Sequence, residues 1–305
     1  MITPNQHIDI PLLHEKGVQL YLKREDTIHP LISGNKYRKL KYNLHEAKAQ
    51  GQHTLLTFGG AYSNHIAATA YAGQLHGFQT IGVIRGEELE TQWQNNPTLR
   101  LAHEHGMQFH FVSRSDYRHK NEPRFLEALK KQFGEVYLLP EGGTNDLAIK
   151  GCMEILTAED ARFDYICSSV GTGGTLAGLI NASQSHQTVL GFPALKGDFL
   201  IEEIRTFAQN NRWQLVTDYH FGGYAKVDQQ LIAFINRFKQ QTGIALDPIY
   251  TGKMLFGIFD LINSDFVTPG SQILAIHTGG LQGIPGMNAI LKKKNLPLLD
   301  IWSGE

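Results

Sequence analysis

One segment, Gly34-Asn35-Lys36-Tyr37-Arg38-Lys39, places an amine where it could act as a nucleophile. Gly34 permits a turn and Asn35 is a residue type that caps helices, so we predict a helix over about residues 37–50. The positive end of that helix disfavours an ammonium ion and helps to lower the pKa of Lys36. A neutral lysine amine can form a Schiff base with a carbonyl compound. Taken alone, a lysine here is more often a solvated residue of a basic first turn.

A second segment, Gly59-Gly60-Ala61-Tyr62-Ser63-Asn64-His65, follows a short apolar run that is typical of a strand. Its glycines allow a turn, after which the hydroxyl of Ser63 and the amide of Asn64 stand at the start of a helix of small residues. Such a position can bind an anion or a ring hydroxyl, or can activate the serine. The simpler interpretation is that these two side chains only cap the helix.

A third segment, Ser168-Ser169-Val170-Gly171-Thr172-Gly173-Gly174-Thr175, comes directly after another predicted strand. Its glycines let backbone N–H groups converge on a phosphate, the threonine hydroxyls add donors, and the following helix adds its dipole. The segment has neither the spacing of a dinucleotide fingerprint nor the Gly-Lys-Ser/Thr of a nucleotide P-loop. We therefore favour a cradle for a single phosphate over a tight turn without a ligand.

Three later segments carry weaker signals: Phe221-Gly222-Gly223-Tyr224, Leu246-Asp247-Pro248-Ile249-Tyr250-Thr251-Gly252-Lys253 and His277-Thr278-Gly279-Gly280. Each alone is typical of an ordinary loop. In that interpretation Tyr224 and Tyr250 are packing residues and His277 is structural. Their order after the three earlier segments is what makes them informative.

The elements that position these segments alternate between strands and helices. Strands are predicted near 54–58, 80–84, 108–112, 136–139, 165–170, 189–192 and 273–277, and helices near 37–50, 64–76, 99–105, 122–133, 146–158, 176–182, 201–208, 229–238 and 253–262. Strands joined through helices imply crossover connections and a largely parallel, doubly wound α/β fold. Ligands of such sheets bind beyond the carboxyl ends of the strands, where the glycine segments stand.

Composition favours a small-molecule partner. The 305 residues are enough for two lobes that share a cleft, and the formal net charge of −1 provides no basic field for nucleic acid or an anionic membrane. Cys152 and Cys167 form neither a CxxC pair nor a disulfide framework, which suits a reducing compartment, and we predict no metal site. The first residues have no secretory pattern, and no apolar run approaches about 18 residues. A cytoplasmic location is therefore expected.

Together, the segments resemble the tryptophan-synthase-β-like enzymes that depend on pyridoxal 5'-phosphate (PLP), known as fold type II. The branch they resemble most contains 1-aminocyclopropane-1-carboxylate (ACC) deaminase and D-cysteine desulfhydrase. The resemblance extends from Lys23-Arg24-Glu25-Asp26 to His277-Thr278-Gly279-Gly280. It implies two open, mostly parallel sheets flanked by helices, with the cofactor in the cleft between them. It further implies a larger PLP-binding lobe of residues 1–40 and 151–305, a smaller lobe of residues 41–150, and a homodimer.

The same resemblance implies a role for each candidate residue. Lys36 would bind PLP covalently and later move protons at the substrate α-carbon, and Asn64 would contact the phenolic oxygen of the cofactor. Ser63 would meet the substrate carboxylate or carry a proton. The remaining roles are phosphate binding by Val170, Gly171, Thr172, Gly173, Gly174 and Thr175 together with Lys39, proximity to the pyridine nitrogen for Thr278, and substrate contacts for Tyr224 and Tyr250, with Tyr250 assisting proton transfer or the leaving group.

Departures from the family pattern bear on the substrate. ACC deaminases carry a glutamate after the second active-site tyrosine, where this chain has Thr251. A hydroxyl cannot supply the same charge to a protonated pyridine nitrogen, which favours β-elimination from D-cysteine over ring opening. Tyr62 stands where the family usually has glutamine, and Ala67 where it has arginine, so the substrate pocket is expected to differ.

Other functions compete with this one. Within PLP chemistry, the alternatives are ACC ring opening and amino-acid racemisation. A nucleotide-binding oxidoreductase using residues 171–175 would need an acidic residue about 20 positions later, and residues 189–194 offer none. A binding protein that has lost catalysis is disfavoured by the presence of Lys36, Ser63 and Tyr250.

Overall fold

The computed structural model describes residues 1–32, 34–197 and 199–300. In this part of the chain ten strands alternate with eleven α-helices. The strands are β1 (Asn5–Ile8), β2 (Gln19–Lys23), β3 (Thr54–Gly59), β4 (Gln79–Arg85), β5 (Met107–Val112), β6 (Tyr137–Leu139), β7 (Tyr165–Val170), β8 (Thr188–Pro193), β9 (Trp213–Leu215) and β10 (Gln272–Ile276). The helices are α1 (Pro11–Glu15), α2 (Asn35–Ala49), α3 (Asn64–His76), α4 (Pro97–Glu104), α5 (Pro123–Phe133), α6 (Asp146–Met153), α7 (Gly174–Ala182), α8 (Phe199–Phe207), α9 (Gln229–Thr242), α10 (Thr251–Asn263) and α11 (Ile284–Lys293).

The strands form two sheets. The larger has the order β1-β2-β10-β7-β8-β9 and the smaller has the order β5-β4-β3-β6. All neighbouring strands in the described residues are parallel except β1, which pairs antiparallel with β2. The predicted α/β fold of two mostly parallel sheets is confirmed.

Helices cover both faces of the larger sheet, as its apolar strands require. On one face, Leu20 and Leu22 of β2 share a core with α9 and α10. On the other, Ile166 of β7 and Leu274 of β10 pack with α7 and α8. Helix α2 packs instead on the smaller sheet, because Leu40 and its apolar neighbours contact β3 and β6. Helices therefore pack on both sheets, and their first residues can reach the space between the sheets.

The charged segment 23–26 is structural. Lys23 forms a buried ion pair with Asp160 at 2.7 Å, and Glu25 pairs with Arg38 of α2 at 2.8 and 2.9 Å. Removing one partner of such a buried pair typically costs about 3–5 kcal/mol. Because Arg38 is on the first turns of α2, its ion pair fixes the start of that helix against the larger sheet.

The division into lobes remains a proposal. We propose it because the strands of the larger sheet lie within residues 1–40 and 151–305, and those of the smaller within 41–150. Within the residues that the structure describes, no helix combines the length and apolar character needed to cross a bilayer.

Candidate active site

Four helices begin around one space between the sheets. Helices α2, α3, α7 and α10 follow a loop or strand end at Gly34, Ser63, Gly173 and Tyr250. Two of these helix starts are joined directly, because the Asn35 amide donates to Thr175 Oγ1 at 2.7 Å. Four helix N-termini give the space a positive potential, which suits a negatively charged ligand.

Lys36 lies on the first turn of α2, where it is partly buried. Burial lowers its pKa to about 7, with a further contribution from the nearby ammonium of Lys39. A lysine with this pKa is neutral in about half of the molecules at pH 7, so its amine is available as a nucleophile. The direction of the pKa shift predicted for Lys36 agrees with this, and burial is its main cause.

Lys39 is a buried cation without a carboxylate partner among the described residues. Its side chain is 2% exposed, and its amine donates to Gly142 O and Thr144 Oγ1 at 3.0 Å and to Thr172 Oγ1 at 3.4 Å. These acceptors are all neutral. Buried Lys23 and Arg38, in contrast, each have a carboxylate partner. A buried cation without a counter-ion is costly, so the site favours an anion beside Lys39.

His65, which is buried near Lys36 and Lys39, does not balance their positive charge. Burial, followed by the charges of Lys36 and Lys39, holds the pKa of His65 well below its ordinary value. Its Nε2 lies 2.8 Å from Thr57 Oγ1, whose own proton goes to Leu139 O. The imidazole is therefore neutral, and it provides no negative charge for the two lysines.

The glycine segment after β7 forms one wall of the space. Gly173 has a φ of +79°, which glycine adopts without the strain of an L-side chain. A Cβ atom on Gly174 would lie 2.9 Å from Thr144 and 3.2 Å from Lys39 Nζ. A Cβ atom on Gly171 would lie 3.3 Å from the Tyr250 ring. Glycines at these positions leave the backbone N–H groups accessible between the lysine and the tyrosine.

Ser63 and Asn64 stand at the start of α3, as the sequence predicted. Ser63 Oγ accepts a hydrogen bond from Ile66 N at 3.4 Å, so Ser63 does cap the helix. Its hydroxyl proton is still available for a ligand. Asn64 Oδ1 accepts from Gln282 Nε2 at 2.9 Å, and its Nδ2 lies 3.0 Å from the position of a Cβ atom on Gly280. The two segments 59–65 and 277–280 therefore meet in space.

Thr278 connects the last strand with the lysine segment. Its hydroxyl lies 3.2 Å from Ser169 Oγ, and its carbonyl accepts from Asn35 N at 3.4 Å. The N-cap of α2 is Gly34, with a φ of +53°, and no side chain caps it. The prediction that Asn35 caps this helix was wrong, because the Asn35 amide is used in the bond to Thr175.

Tyr224 and Tyr250 form an aromatic pair, with ring centroids 6.2 Å apart and an interplanar angle of 66°. Burial raises the pKa of Tyr250 well above its ordinary value, and the neighbouring Tyr224 phenol raises it further. Burial also raises the pKa of Tyr224. Both phenols therefore keep their protons at neutral pH. Because a Cβ atom on Gly171 would lie 3.3 Å from the Tyr250 ring, this proton donor lies beside the glycine segment.

Asp247 is a residue whose importance the sequence analysis missed. Its carboxylate accepts from the backbone N–H groups of Ile249, Tyr250 and Thr251 at 2.8–2.9 Å and from the Thr251 hydroxyl at 2.7 Å. It thus caps α10 and fixes Tyr250. Asp-Pro before a helical segment is a signal that could have indicated this cap.

Arg85 is a second missed residue, at the end of β4. Its Nη2 lies 3.5 Å from the position of a Cβ atom on Gly60, and its guanidinium carbon is 5.8 Å from the Tyr117 ring centroid. Among the described residues, no carboxylate pairs with it. Arg85 therefore offers an exposed positive charge beside the segment that carries Ser63.

Comparison with known proteins agrees with this geometry. The model of the pyridoxal-phosphate dependent enzymes matches residues 2–279. The chain belongs to this family. A protein of Pyrococcus horikoshii provisionally named as an ACC deaminase is 32% identical, over 92% of this chain and 90% of its own length. The bifunctional mitochondrial D-cysteine desulfhydrase/ACC deaminase of Arabidopsis thaliana is 29% identical, over 92% of this chain and 77% of its own. The crystal structure of an ACC deaminase homologue is 30% identical, with a TM-score of 0.83 and coverage of 96% and 94%.

Family membership makes this a PLP-dependent enzyme, and the described residues fit that cofactor. The phosphate of PLP is an anion of the kind that Lys39 and the glycine segment favour. The aldehyde of PLP reacts with an amine of the kind that Lys36 offers. Asn64, Thr278 and the threonine hydroxyls are neutral hydrogen-bonding groups, which suit a polar ring.

Replacing Lys39 by methionine should weaken PLP binding by roughly ten- to a hundredfold, because a charge-assisted hydrogen bond contributes about 1.5–3 kcal/mol. Fluorescence titration of the apoenzyme with PLP would measure this. Lys41→Met is the matched control, since Lys41 lies on the same helix but pairs with Glu154 at 2.7 Å. Equal affinities for the two variants would contradict a role for Lys39 in phosphate binding.

Proposed function

We propose that this enzyme removes the β-substituent and the amino group of a small amino acid, with D-cysteine as the leading substrate. D-cysteine and water would give pyruvate, ammonia and hydrogen sulfide. The Cα–H and Cβ–S bonds break first, and water then hydrolyses the C–N bond of the released enamine. Bound PLP supplies the electron sink that makes loss of the α-proton possible.

In this proposal Lys36 both holds the cofactor and moves the α-proton. A pKa of about 7 lets its amine accept a proton from the α-carbon at neutral pH and return it later. The ammonium of Lys39 is held by Gly142, Thr144 and Thr172, which supports a fixed role in binding rather than in proton transfer.

The substrate carboxylate would bind at the start of α3. The Ser63 hydroxyl and the N-terminal N–H groups of α3 are donors suited to a carboxylate. Arg85 adds a positive charge beside Gly60 on the same segment. This charge is of interest because the family arginine is replaced here by Ala67, which is buried and apolar.

The observation that carries the proposal is the position of the Tyr250 ring beside Gly171. Departure of sulfur from the β-carbon leaves a thiolate, which is stabilised by a nearby hydrogen-bond donor. Burial raises the pKa of Tyr250 well above its ordinary value, so its phenol can donate to the leaving sulfur. Tyr224, 6.2 Å away between ring centroids, would orient this phenol or contact the substrate directly.

ACC ring opening is the second candidate, because relatives and a similar structure carry the name ACC deaminase. Thr251, which stands where the resemblance implies glutamate, is fully buried and donates its hydroxyl to Asp247 at 2.7 Å. A hydroxyl engaged in a helix cap offers no charge to a pyridine nitrogen. This arrangement supports elimination over ring opening.

Product analysis of the PLP-loaded enzyme tests the proposal. We expect kcat/KM for sulfide release from D-cysteine to exceed that for 2-oxobutanoate formation from ACC by at least about tenfold, equivalent to about 1.4 kcal/mol. L-cysteine serves as the control for stereochemistry. Faster 2-oxobutanoate formation would assign ring opening instead, and formation of the enantiomer alone would assign racemisation.

We further propose a cytoplasmic homodimer. Both cysteines, Cys152 and Cys167, are free and buried, which suits a reducing compartment. The dimer follows from the family resemblance, and sedimentation of the holoenzyme would test it.

A further inference from the structure

The loop that carries Tyr224 has an unfavourable backbone conformation. Between β9 and α9, Phe221 has a φ of +53° and Ala225 a φ of +56°, on either side of Gly222 and Gly223 at +87° and +115°. Left-handed conformations of residues other than glycine cost about 1 kcal/mol or more each. This shape therefore persists only if contacts with the rest of the chain impose it.

Lys253 provides such contacts. Its side chain is 2% exposed, and its amine donates to His220 O and Gly223 O, both at 2.9 Å. These two carbonyls lie at the ends of the turn that directly precedes Tyr224. Within the loop itself, Gly223 N donates to His220 O at 3.0 Å, Gly222 N donates to His220 Nδ1 at 2.9 Å, and Lys226 N donates to Gly223 O at 3.1 Å. Lys253 adds to these local bonds a contact from a different element, α10.

The amine of Lys253 is suited to this position whether or not it is charged. Burial lowers the pKa of Lys253 to about 8, while Asp247 and Asp228 oppose that shift. A neutral amine keeps two N–H donors, as many as the two carbonyls need. The contact with the loop is therefore expected to persist across the pH range in which the amine titrates.

Helix α10 thus contacts the backbone of both tyrosine segments, that of Tyr250 and that of Tyr224. Tyr250 is its N-cap residue and is fixed there by Asp247. Lys253 is on the first turn of the same helix and holds the loop of Tyr224. The helix therefore sets the relative placement of the two rings, whose centroids are 6.2 Å apart.

We propose that Lys253 is a positioning residue, which holds Tyr224 against Tyr250 by binding the carbonyls of His220 and Gly223. This inference rests on the proposed function in one respect, namely that Tyr224 acts on the substrate. Lys253 itself contacts neither substrate nor cofactor in this assignment.

A double-mutant cycle on the holoenzyme tests the assignment. Lys253→Met keeps the length of the side chain but removes its donors, and should lower kcat/KM for D-cysteine roughly ten- to a hundredfold, because small misplacements of site groups have effects of that size. In a Tyr224→Phe background, the same substitution should change kcat/KM less than about twofold. Lys253→Arg, which keeps hydrogen-bond donors at this position, should retain most of the wild-type activity. Lys226→Met, on the exposed part of the same loop, should have no effect.

Equal losses in the two backgrounds would overturn the assignment, as would an unchanged Lys253→Met enzyme. If that variant fails to fold, Lys253→Arg and Lys253→Gln replace it in the same comparison. Amide hydrogen exchange of residues 220–226 gives a readout independent of turnover. It should rise about tenfold or more in Lys253→Met and nowhere else, and unchanged exchange would overturn the assignment even if the wild type proved inactive on D-cysteine.

Discussion

Replacing Lys36 by alanine should abolish the visible absorbance of the PLP-loaded enzyme and lower its turnover by at least about a thousandfold. The expectation follows from the position of Lys36 on the first turn of α2 and from its pKa of about 7. Loss of a covalent catalytic group commonly removes several orders of magnitude of rate. Absorbance spectra before and after borohydride, together with a sulfide assay, would measure both effects.

The control for this prediction lies on the same helix. Lys41→Ala removes a lysine whose pKa is raised by its hydrogen bond with Glu154, and it should keep both the absorbance and the activity. The pH dependence of PLP uptake by the wild-type apoenzyme adds a second control. Uptake should rise as pH increases through about 7 and then level off, because Lys36 is neutral above that pKa. A borohydride-sensitive band in Lys36→Ala, or uptake that keeps rising towards the pKa of an ordinary lysine at about 10.4, would contradict the assignment.

Elements with a strong local pattern were predicted well from the sequence. The helix predicted over residues 64–76 coincides with α3, and the strand predicted over 165–170 coincides with β7. Both have a sharp chemical boundary, with a serine cap in the first case and a glycine turn in the second. The glycine segments therefore came together as expected, because strand ends and helix starts were placed correctly.

Elements whose register depends on distant partners were missed. Strand β2 was not predicted, because its place between β1 and β10 depends on pairing with residues about 250 positions later, as between Leu20 and Ile273. Strand β9 has only three residues, and α11 has a glycine at its N-cap and no side-chain cap, so that Pro285 is its main start signal. The helix predicted over 146–158 ends earlier, at Met153, where the chain turns towards Glu154 and its ion pairs.

The sequence indicated residue types for the candidate site but not the contacts that these residues make. Lys39 was assigned to the phosphate, but the sequence does not reveal that its partners are neutral oxygens of residues 142, 144 and 172. Asp247, Lys253 and Arg85 were missed because their importance comes from what they touch. In a sequence, an aspartate that caps a helix, a lysine that is buried and an arginine that has no carboxylate partner cannot be told from other residues of the same type.

Replacing Gly34 by alanine should separate the start of α2 from the end of β10 and so disable the site. A Cβ atom at this position would lie 2.0 Å from the carbonyl oxygen of Thr278 and 2.8 Å from Gly279 N. These are backbone atoms, which cannot move aside as a flexible side chain could. With a φ of +53° adding strain, we expect a destabilisation of about 3 kcal/mol or more and loss of PLP binding. Thermal unfolding and cofactor absorbance would measure the two effects.

A Gly51→Ala variant, just beyond the other end of α2, separates the effect of backbone strain from the effect of a steric clash. Gly51 has a φ of +69°, but a Cβ atom there would meet nothing within 4 Å. Gly51→Ala should therefore cost only the backbone term of about 1 kcal/mol and keep full PLP binding. If Gly34→Ala behaved like Gly51→Ala, the close approach of Gly34 to Thr278 would not be needed for the site. A larger loss only at Gly34 would show that Lys36 and Thr278 are held in place by one backbone contact, which only glycine permits.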